Sequence, residues 1–258
     1  MVANEPKIRL RGVRKSFGKL VVLDGVDLDI AAGESLVVMG GSGTGKSVLL
    51  KHLIGLVQPD AGQVIVDGTD LATLSRTELT EFRRRYGMSF QEGALFDSMT
   101  VAMNIAFPLT RSRPQRSRAE IDTRVEECLR LVGLEGVGAK MPAELSGGMR
   151  RRVGFARAIA IAPQILLFDE PTSGLDPVLT AVIDQLIVAL RENLKSTTIT
   201  ITHDLRSAFR IADRVAMLYE GKIIAIGEVD AFQRSEDPRV RQFIEGRAEG
   251  PLTALRNR

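Results

Sequence analysis

One glycine-rich run restricts the fold of this chain more than any other segment. It follows the apolar residues 35–39 and precedes an apolar-rich segment that runs through Val57, so the order strand, loop, helix is predicted. Glycines let a backbone wrap closely around phosphate oxygens, and N–H groups at a helix start point towards an anion. The alternative is a glycine-rich turn before an ordinary helix. The complete pattern G-x-x-x-x-G-K-S favours a phosphate loop, consisting of Gly40, Gly41, Ser42, Gly43, Thr44, Gly45, Lys46 and Ser47.

Two side chains of this loop have predicted roles towards a nucleotide. Lys46 is placed to bridge the β- and γ-phosphates, and Ser47 is placed to ligate magnesium. The predicted ligands are therefore ATP and Mg²⁺.

A pair of carboxylates follows a second apolar run. Residues 164–168 suit a central parallel strand, and Asp169 and Glu170 come where that strand would end. Ligands of open α/β sheets bind beyond the carboxyl ends of the strands. We therefore expect Asp169 to hold magnesium, directly or through water, and Glu170 to polarise the attacking water. The alternative is two exposed carboxylates that open a turn containing Pro171.

One of the two histidines also follows a predicted strand. Residues 196–202 alternate as a β-strand does, and His203 comes immediately after them. A histidine in this position is often a loop residue with a satisfied hydrogen bond. At the same sheet edge as the two carboxylates, contact with the γ-phosphate or the attacking water is favoured. His52 lies inside the helix after the phosphate loop and is interpreted as structural.

These residues resemble the motifs of the nucleotide-binding subunits of ATP-binding cassette (ABC) transporters, and the likeness spans nearly the whole chain. The phosphate loop matches Walker A, and residues 165–170 match Walker B with its catalytic glutamate. Residues 145–149, Leu-Ser-Gly-Gly-Met, match the signature motif. The remaining matches are Gln91 for the Q-loop, residues 173–176 with Asp176 for the D-loop, His203 for the H-loop, and Phe17 for the aromatic residue that stacks on adenine.

The resemblance implies an α/β fold of the P-loop NTPase class. It would have a RecA-like core, an N-terminal antiparallel β subdomain and an inserted α-helical subdomain at about residues 92–157. The ABC ATPase domain would cover residues 1–246, followed by a C-terminal tail at 247–258. The residue pattern agrees in part, because residues 8–30 favour short alternating strands and residues 92–157 have helical periodicity.

The resemblance also implies a mechanism. Two copies would meet head to tail, with each ATP between the Walker motifs of one copy and the signature loop of the other. Gln91 would contribute to magnesium binding and catalysis, and Asp176 to nucleotide binding. Small residues at a helix start can offer N–H groups and a hydroxyl to the γ-phosphate; here they are Ser146, Gly147 and Gly148.

One motif position departs from the commonest family pattern. Met149 stands where a glutamine usually ends the signature loop. Together with the following arginines and the run at residues 91–97, it is similar to the MlaF-like (Mkl) ATPases of Mce-type lipid transporters. That likeness implies transport of phospholipid or a related lipid across the bacterial envelope, with a separate permease, an Mce-domain lipid-binding protein and a small regulatory subunit. Drift at a tolerant position would also explain Met149.

Other functional classes stay open to different degrees. An ATPase subunit of an importer for a polar nutrient such as an amino acid would keep every catalytic residue. An ABC protein acting on ribosomes or DNA is disfavoured, because the chain has neither a second cassette nor a long coiled coil. A nucleotide-binding module without hydrolysis is opposed by the intact Lys46, Asp169, Glu170 and His203.

Composition limits the location and partners of the chain. No apolar run approaches the roughly 18 residues that span a bilayer. The start also lacks the layout of a signal peptide. These features favour a cytosolic chain, with any membrane-spanning subunit a separate polypeptide. The resemblance then implies a peripheral protein on the cytoplasmic side of the inner membrane, attached through the permease. The single cysteine, Cys128, excludes an internal disulfide and lies at helical spacing with apolar residues, which favours core packing. A net charge of +3 is too small to indicate nucleic-acid binding.

Two surfaces have the composition of partner contacts. Residues 98–109 are nearly uncharged and follow the Q-loop, where the family receives a coupling helix from the permease, so an apolar groove is expected there. The arginines at 111, 113, 116 and 118 fit either a solvated loop or contact with lipid headgroups. The tail is interpreted as a short helix at 241–246 and then an extended segment, which reaches a neighbouring subunit or is disordered.

Overall fold

A computed structural model describes residues 5–91, 93–111 and 114–252 of this protein. The strands are β1 (Ile8–Phe17), β2 (Leu20–Ile30), β3 (Ser35–Met39), β4 (Ala61–Val66), β5 (Thr69–Asp70), β6 (Tyr86–Ser89), β7 (Ile165–Asp169), β8 (Thr197–Ile201), β9 (Arg214–Tyr219) and β10 (Lys222–Glu228). The helices are α1 (Lys46–Leu53), α2 (Arg76–Phe82), α3 (Val101–Thr110), α4 (Arg118–Leu131), α5 (Gly147–Ile159), α6 (Pro177–Leu194), α7 (Leu205–Ile211), α8 (Val229–Gln233) and α9 (Pro238–Glu245).

The chain forms two compact units. The first, here called the phosphate-loop unit, comprises Met1–Ala72 and Thr202–Arg258. The second, the signature unit, comprises Thr73–Ile201. Each unit has buried apolar residues of its own.

An antiparallel sheet in the order β2-β1-β4-β5 belongs to the phosphate-loop unit. The sequence favoured short strands in residues 8–30, but the structure has two long ones of 10 and 11 residues. β1 and β2 pair along their length with shifts in register, one of which lies between Leu10 and Val13. Gly12, inside that shift, has a φ of 56° and donates its N–H to Asp27.

The same unit contains the strand that leads into the phosphate loop. β3 is buried along its whole length and pairs in parallel with β9. β9 and β10 form an antiparallel hairpin around Glu220 and Gly221, which have φ angles of 46° and 73°. Two positive φ angles match the twist of a tight hairpin turn.

The signature unit combines three parallel strands with helices. The strands lie in the order β8-β7-β6, and α5 packs on β6 while α3, α4 and α5 contact one another. Phe155 of α5 and Phe168 of β7 meet edge to face with ring centroids 5.0 Å apart. Cys128 is fully buried in α4, and burial raises the pKa of its thiol to about 11. Its predicted core role is confirmed.

Helix α1 is shorter than the sequence indicated. It was expected to continue through Val57, but it ends at Leu53. Gly55 adopts a φ of 64° and donates its N–H to the carbonyl of His52, and this left-handed turn closes the helix. The strands predicted at 164–168 and 196–202 differ from β7 and β8 by one residue at their ends.

The described part of the C-terminal tail is not extended. The predicted last helix at 241–246 is present as α9, which begins earlier, at Pro238, and ends at Glu245 with Gly246 as its C-cap. Gln242 then accepts the N–H of Leu252 at 2.8 Å and donates to the carbonyl of Arg247 at 3.1 Å. These bonds fold residues 247–252 back onto the helix, so an extended segment is wrong there. Residues 253–258 lie outside the described residues.

Among the described residues, no helix combines the length and the apolar character that crossing a bilayer requires.

Candidate functional site

The phosphate loop connects β3 to α1 in a conformation that depends on glycine. Gly45 has a φ of 98° and precedes the first residue of α1. A Cβ atom on Gly45 would lie 2.8 Å from the carbonyl oxygen of Val22, and one on Gly40 would lie 2.4 Å from that of Leu218. Side chains at these two positions would therefore clash with the backbone of β2 and β9.

The amine of Lys46 lies within this loop. Its Nζ donates to the carbonyl oxygens of Gly40 at 2.9 Å and Gly41 at 2.8 Å, and the residue is only 8% exposed. Ser47 follows it in the first turn of α1 and is exposed. No acidic residue occurs in that turn, so the positive end of the helix and the ammonium group both favour an anion.

His203 belongs to the same unit as the phosphate loop. The N–H of Thr202 donates to the carbonyl of Val38 at 3.4 Å, which holds the backbone before His203 beside the end of β3. Asp204 caps α7 by accepting the N–H of Arg206 at 2.9 Å. Hydrogen bonds therefore hold the residues before and after His203, and His203 itself is exposed.

Two further residues singled out in the sequence lie in this unit. Phe17, at the end of β1, is 49% exposed, with the Nζ of Lys15 5.6 Å from its ring centroid. His52 is buried, and its Nδ1 lies 2.8 Å from the carbonyl oxygen of Val48. Desolvation lowers the pKa of His52, which agrees with a structural role.

In the signature unit, the Asp169-Glu170 pair ends β7 as predicted. Asp169 is the last residue of the strand and is half-buried. Glu170 has a φ of 49°, a left-handed conformation that costs a non-glycine residue on the order of 1–3 kcal/mol. Its N–H donates to the carbonyl of Ile201 at 2.9 Å, which holds this conformation against the end of β8. Strain of this kind is concentrated at functional positions.

The Q-loop residue reaches the turn that follows Glu170. The Nε2 of Gln91 donates to the Oγ of Ser173 at 3.4 Å, and the N–H of Ser173 donates to the carbonyl of Glu170 at 3.3 Å. Asp176 ends this turn and caps α6 by accepting the N–H groups of Val178 and Leu179. The structure therefore brings Gln91 together with the turn between Glu170 and Asp176.

The signature residues stand at the start of α5. Ser146 caps the helix by accepting the N–H of Met149 at 3.2 Å, and Gly147 is the first helical residue. Ser146 and Gly147 are exposed, Gly148 is half-buried, and no acidic residue occurs in the first turn. A helix start with these properties can bind an anion.

Two arginines of α5 have contacts that the sequence did not reveal. Arg151 is only 9% exposed and donates to the carbonyls of Pro171, at 3.1 Å, and Ser173. Arg157 donates to the carbonyls of Gly93 at 2.7 Å and Ala94 at 2.8 Å. In the sequence, Arg151 belongs to a run of three arginines, which is typical of a charged surface, and no local signal marks it as buried.

An apolar groove includes Phe90, the residue before Gln91, in its lining, but of the predicted residues 98–109 only Phe107 and Pro108 line it. Its volume is about 340 Å³, and the rings of Phe96 and Phe107 meet in it with centroids 4.8 Å apart. Other lining residues are Tyr86, Met88, Phe90 and Pro108.

The arginines that fit either a solvated loop or lipid headgroups have different surroundings. The guanidinium of Arg111 stacks 4.5 Å from the ring centroid of Phe107, and Arg118 pairs with Asp122 at 3.0 Å. Arg113 lies outside the described residues.

Comparison with known families gives one extended match. The model described as "ABC transporter" matches residues 23–173. At 46% identity, the chain is similar to the probable ribonucleotide transport ATP-binding protein mkl of Mycobacterium leprae, over 95% of this chain and 70% of that protein. At 40% identity, it is similar to the intermembrane phospholipid transport system ATP-binding protein MlaF of Escherichia coli, over 95% of this chain and 91% of that protein.

Solved structures agree with the family match. A dimeric, post-hydrolysis ATP-binding cassette, MJ0796 bound to ADP and Pi, superposes with a TM-score of 0.77 at 33% identity, over 86% of this chain and 98% of that one. CbiO1 from Clostridium perfringens, part of an ABC transporter complex, gives a TM-score of 0.82 at 28% identity, over 92% and 95% of the two chains. The predicted α/β cassette fold is confirmed.

Proposed function

Because this chain belongs to the ABC transporter family, we propose that it is the ATP-hydrolysing subunit of a transporter that moves phospholipid or a related lipid across the bacterial envelope. The observation that carries the proposal is the similarity to MlaF, which extends over nearly the full length of both proteins. The mkl relatives have a higher identity and a name that refers to ribonucleotides, but this chain spans a smaller share of their length. ATP hydrolysis itself follows from the family.

Binding of ATP is assigned to the phosphate-loop unit. The phosphate loop surrounds the β- and γ-phosphates, with Lys46 as the direct cationic contact. The position of its Nζ against two loop carbonyls supports this role, since the ammonium is already held inside the loop. Phe17 stacks on the adenine, for which a half-exposed ring at a strand end is suited.

Magnesium is assigned to Ser47, Gln91 and Asp169. Mg²⁺ prefers oxygen ligands and is usually bound through one or two carboxylates together with substrate phosphates. A hydroxyl, an amide oxygen and a single carboxylate match this preference. Bound there, the ion would neutralise charge that develops on the transferred phosphoryl group.

Hydrolysis is assigned to Glu170 and His203. Glu170 acts as the general base for the attacking water, and His203 contacts the γ-phosphate or that water. The strained and anchored backbone of Glu170 supports this role, because a base must be held in one geometry to be effective. A positioned base contributes about 10²- to 10⁴-fold in rate.

A second copy of the chain is proposed to complete the catalytic arrangement. Ser146, Gly147 and Gly148 of one copy bind the γ-phosphate held by the other, and Asp176 lies in the D-loop that contributes to the same nucleotide. The exposed start of α5 supports the role of the signature residues in binding the γ-phosphate. ATP binding then closes the dimer, and hydrolysis opens it.

The apolar groove is proposed as the docking site of the permease. Its lining includes Phe90, the residue before Gln91, which supports this assignment, since a helix seated there would contact the segment that leads into the Q-loop. The further partners are an Mce-domain protein and a small regulatory subunit, and there is no nucleic-acid partner. The chain itself is peripheral, on the cytoplasmic side of the inner membrane.

The deciding experiment is to extract the tagged chain from its native membranes in mild detergent and identify the co-purifying subunits and lipids by mass spectrometry. A multi-pass permease with an Mce-domain protein is expected. A permease with a solute-binding protein would instead establish the second candidate, an importer of a polar nutrient.

The same extraction tests the groove. Phe107→Ala removes a ring that forms one wall, and we expect it to reduce the recovered permease while ATP binding by the chain is retained. Full recovery of the permease would exclude this groove as the docking site.

A further inference from the structure

We infer that Arg151 is a positioning residue for ATP hydrolysis, which connects the signature helix α5 to the turn between Glu170 and Asp176. The inference rests on the proposed function, since it concerns the base and the loops assigned there. It adds a residue to which none of the motifs above assigns a role, and its role depends on contacts within the signature unit alone.

The contacts of Arg151 account for its burial. A guanidinium group removed from water is unfavourable unless its N–H groups are hydrogen-bonded. Arg151 is 9% exposed and uses its two terminal nitrogens on two carbonyls of the same turn, those of Pro171 and Ser173. The planar fork of arginine suits two acceptors at a fixed spacing, which a lysine cannot bridge in the same way.

Ser173 joins three segments that are distant in the sequence. Its carbonyl accepts from Arg151, its Oγ accepts from Gln91 at 3.4 Å, and its N–H donates to the carbonyl of Glu170 at 3.3 Å. A movement of the signature helix or of the Q-loop is therefore transmitted to the backbone beside the catalytic base.

Helix α5 is also fixed to the loop after Gln91. A Cβ atom on Gly154 would lie 2.8 Å from the Cα of Gly93, so helix and loop touch through their backbones. Arg157 adds bonds to the carbonyls of Gly93 and Ala94. Since α5 and this loop are already joined, Arg151 extends the connection to the turn that carries Glu170.

A neighbouring arginine supplies a matched control. Arg152 lies in the same helix and also donates to two backbone carbonyls, those of Val132 at 3.3 Å and Gly133 at 3.1 Å. Those acceptors follow α4 and do not belong to the turn after Glu170. Arg151→Gln and Arg152→Gln therefore each remove two hydrogen bonds from α5 to backbone carbonyls, but only Arg151 bonds to the turn after Glu170.

The experiment measures kcat and KM for ATP hydrolysis, together with the melting temperature, for the purified full chain and both variants. For Arg151→Gln we expect kcat to fall about 10- to 100-fold with KM within about twofold, because a small displacement of a catalytic group reduces turnover more than binding. Arg152→Gln should retain kcat within about twofold, with a similar shift in melting temperature. An equal kcat for the two variants would overturn the inference.

A third variant covers the case in which Arg151→Gln does not fold. Arg151→Lys keeps the charge and one of the two bonds, so it should lose less stability than Arg151→Gln, while kcat should still fall by about threefold or more. A wild-type kcat in a stable Arg151→Lys would then overturn the inference. Wild-type chain without any ATP turnover would overturn the proposed function itself, so the two failures are distinguishable.

Discussion

The phosphate loop and the turn after Glu170 differ in how the chain builds them. The first is one contiguous segment at a helix start, and its lysine is held by carbonyls of the loop itself, those of Gly40 and Gly41. The second depends on partners from distant segments, such as Gln91 and Ser173, which are 82 residues apart. Binding of the phosphates thus requires mainly local geometry, whereas positioning of the base requires the packed signature unit.

This difference predicts that the two functions can be separated by mutation. Changes in the turn after Glu170 or at Arg151 should reduce turnover while ATP still binds. Changes in the phosphate loop should reduce binding and, with it, every later step.

Glu170→Gln should lower ATP turnover by about 10²- to 10⁴-fold, because glutamine fills the same space but cannot accept the proton of the attacking water. ATP binding should persist, so the variant should accumulate as a closed dimer. Phosphate release measures the first effect, and size-exclusion chromatography with light scattering in ATP measures the second. Turnover at the wild-type rate would remove Glu170 from its assigned role.

Lys46→Met should lower turnover by about 10²- to 10³-fold, the usual loss when one direct contact to a developing charge is removed. Unlike Glu170→Gln, it should also weaken ATP binding and prevent ATP-dependent dimerisation, since the ammonium group inside the loop is lost. Titration calorimetry with ATP separates the two variants. Equal ATP affinity for Lys46→Met and wild type would contradict the separation of binding from catalysis.

The local part of this architecture could be predicted from the sequence. The order β3, phosphate loop and α1 follows from an apolar run, glycines and a helical pattern that are adjacent in the chain. The hairpin at Glu220-Gly221 is equally local. The exact end of α1 was missed because it depends on the left-handed turn at Gly55, which periodicity does not reveal.

The long-range part could not be predicted. The tail was expected to extend, but Gln242 folds it back through bonds to Arg247 and Leu252. Arg151 was indistinguishable from its exposed neighbour Arg150, because burial is decided by what packs against a helix. The motif residues themselves were recognisable, and their individual roles in catalysis stay predictions.

Gly154→Ala tests whether the signature unit depends on close packing between α5 and the loop after Gln91. The added methyl group would lie 2.8 Å from the Cα of Gly93, so the free energy of unfolding should fall by about 1–3 kcal/mol, although alanine favours a helix. Gly147→Ala, in the same helix, has no atom within 4 Å of the added carbon and should not destabilise the protein. Urea denaturation compares the two variants. Equal free energies of unfolding for the two variants would show that the stability of the protein does not depend on the close approach of α5 to Gly93.

His52→Asn should have the smallest effect, and the effect should appear as a change in pH dependence. His52 is buried in α1. Desolvation lowers the pKa of its imidazole below the value of about 6.5 in unfolded chains, and the nearby Lys15 lowers it further. The bond to Val48 and the charge of Asp60 raise the pKa but do not cancel this effect. The unfolded state therefore binds more protons in the window below about pH 7, so stability should fall as the pH falls, by at most about 1.4 kcal/mol per pH unit. Asparagine keeps a donor for the carbonyl of Val48 but does not titrate, so this part of the slope should disappear. Urea denaturation of both proteins between about pH 7.5 and pH 5.5 measures the slope, with the wild type as the reference. An unchanged slope in His52→Asn would show that the helix after the phosphate loop does not contribute to the pH dependence of folding.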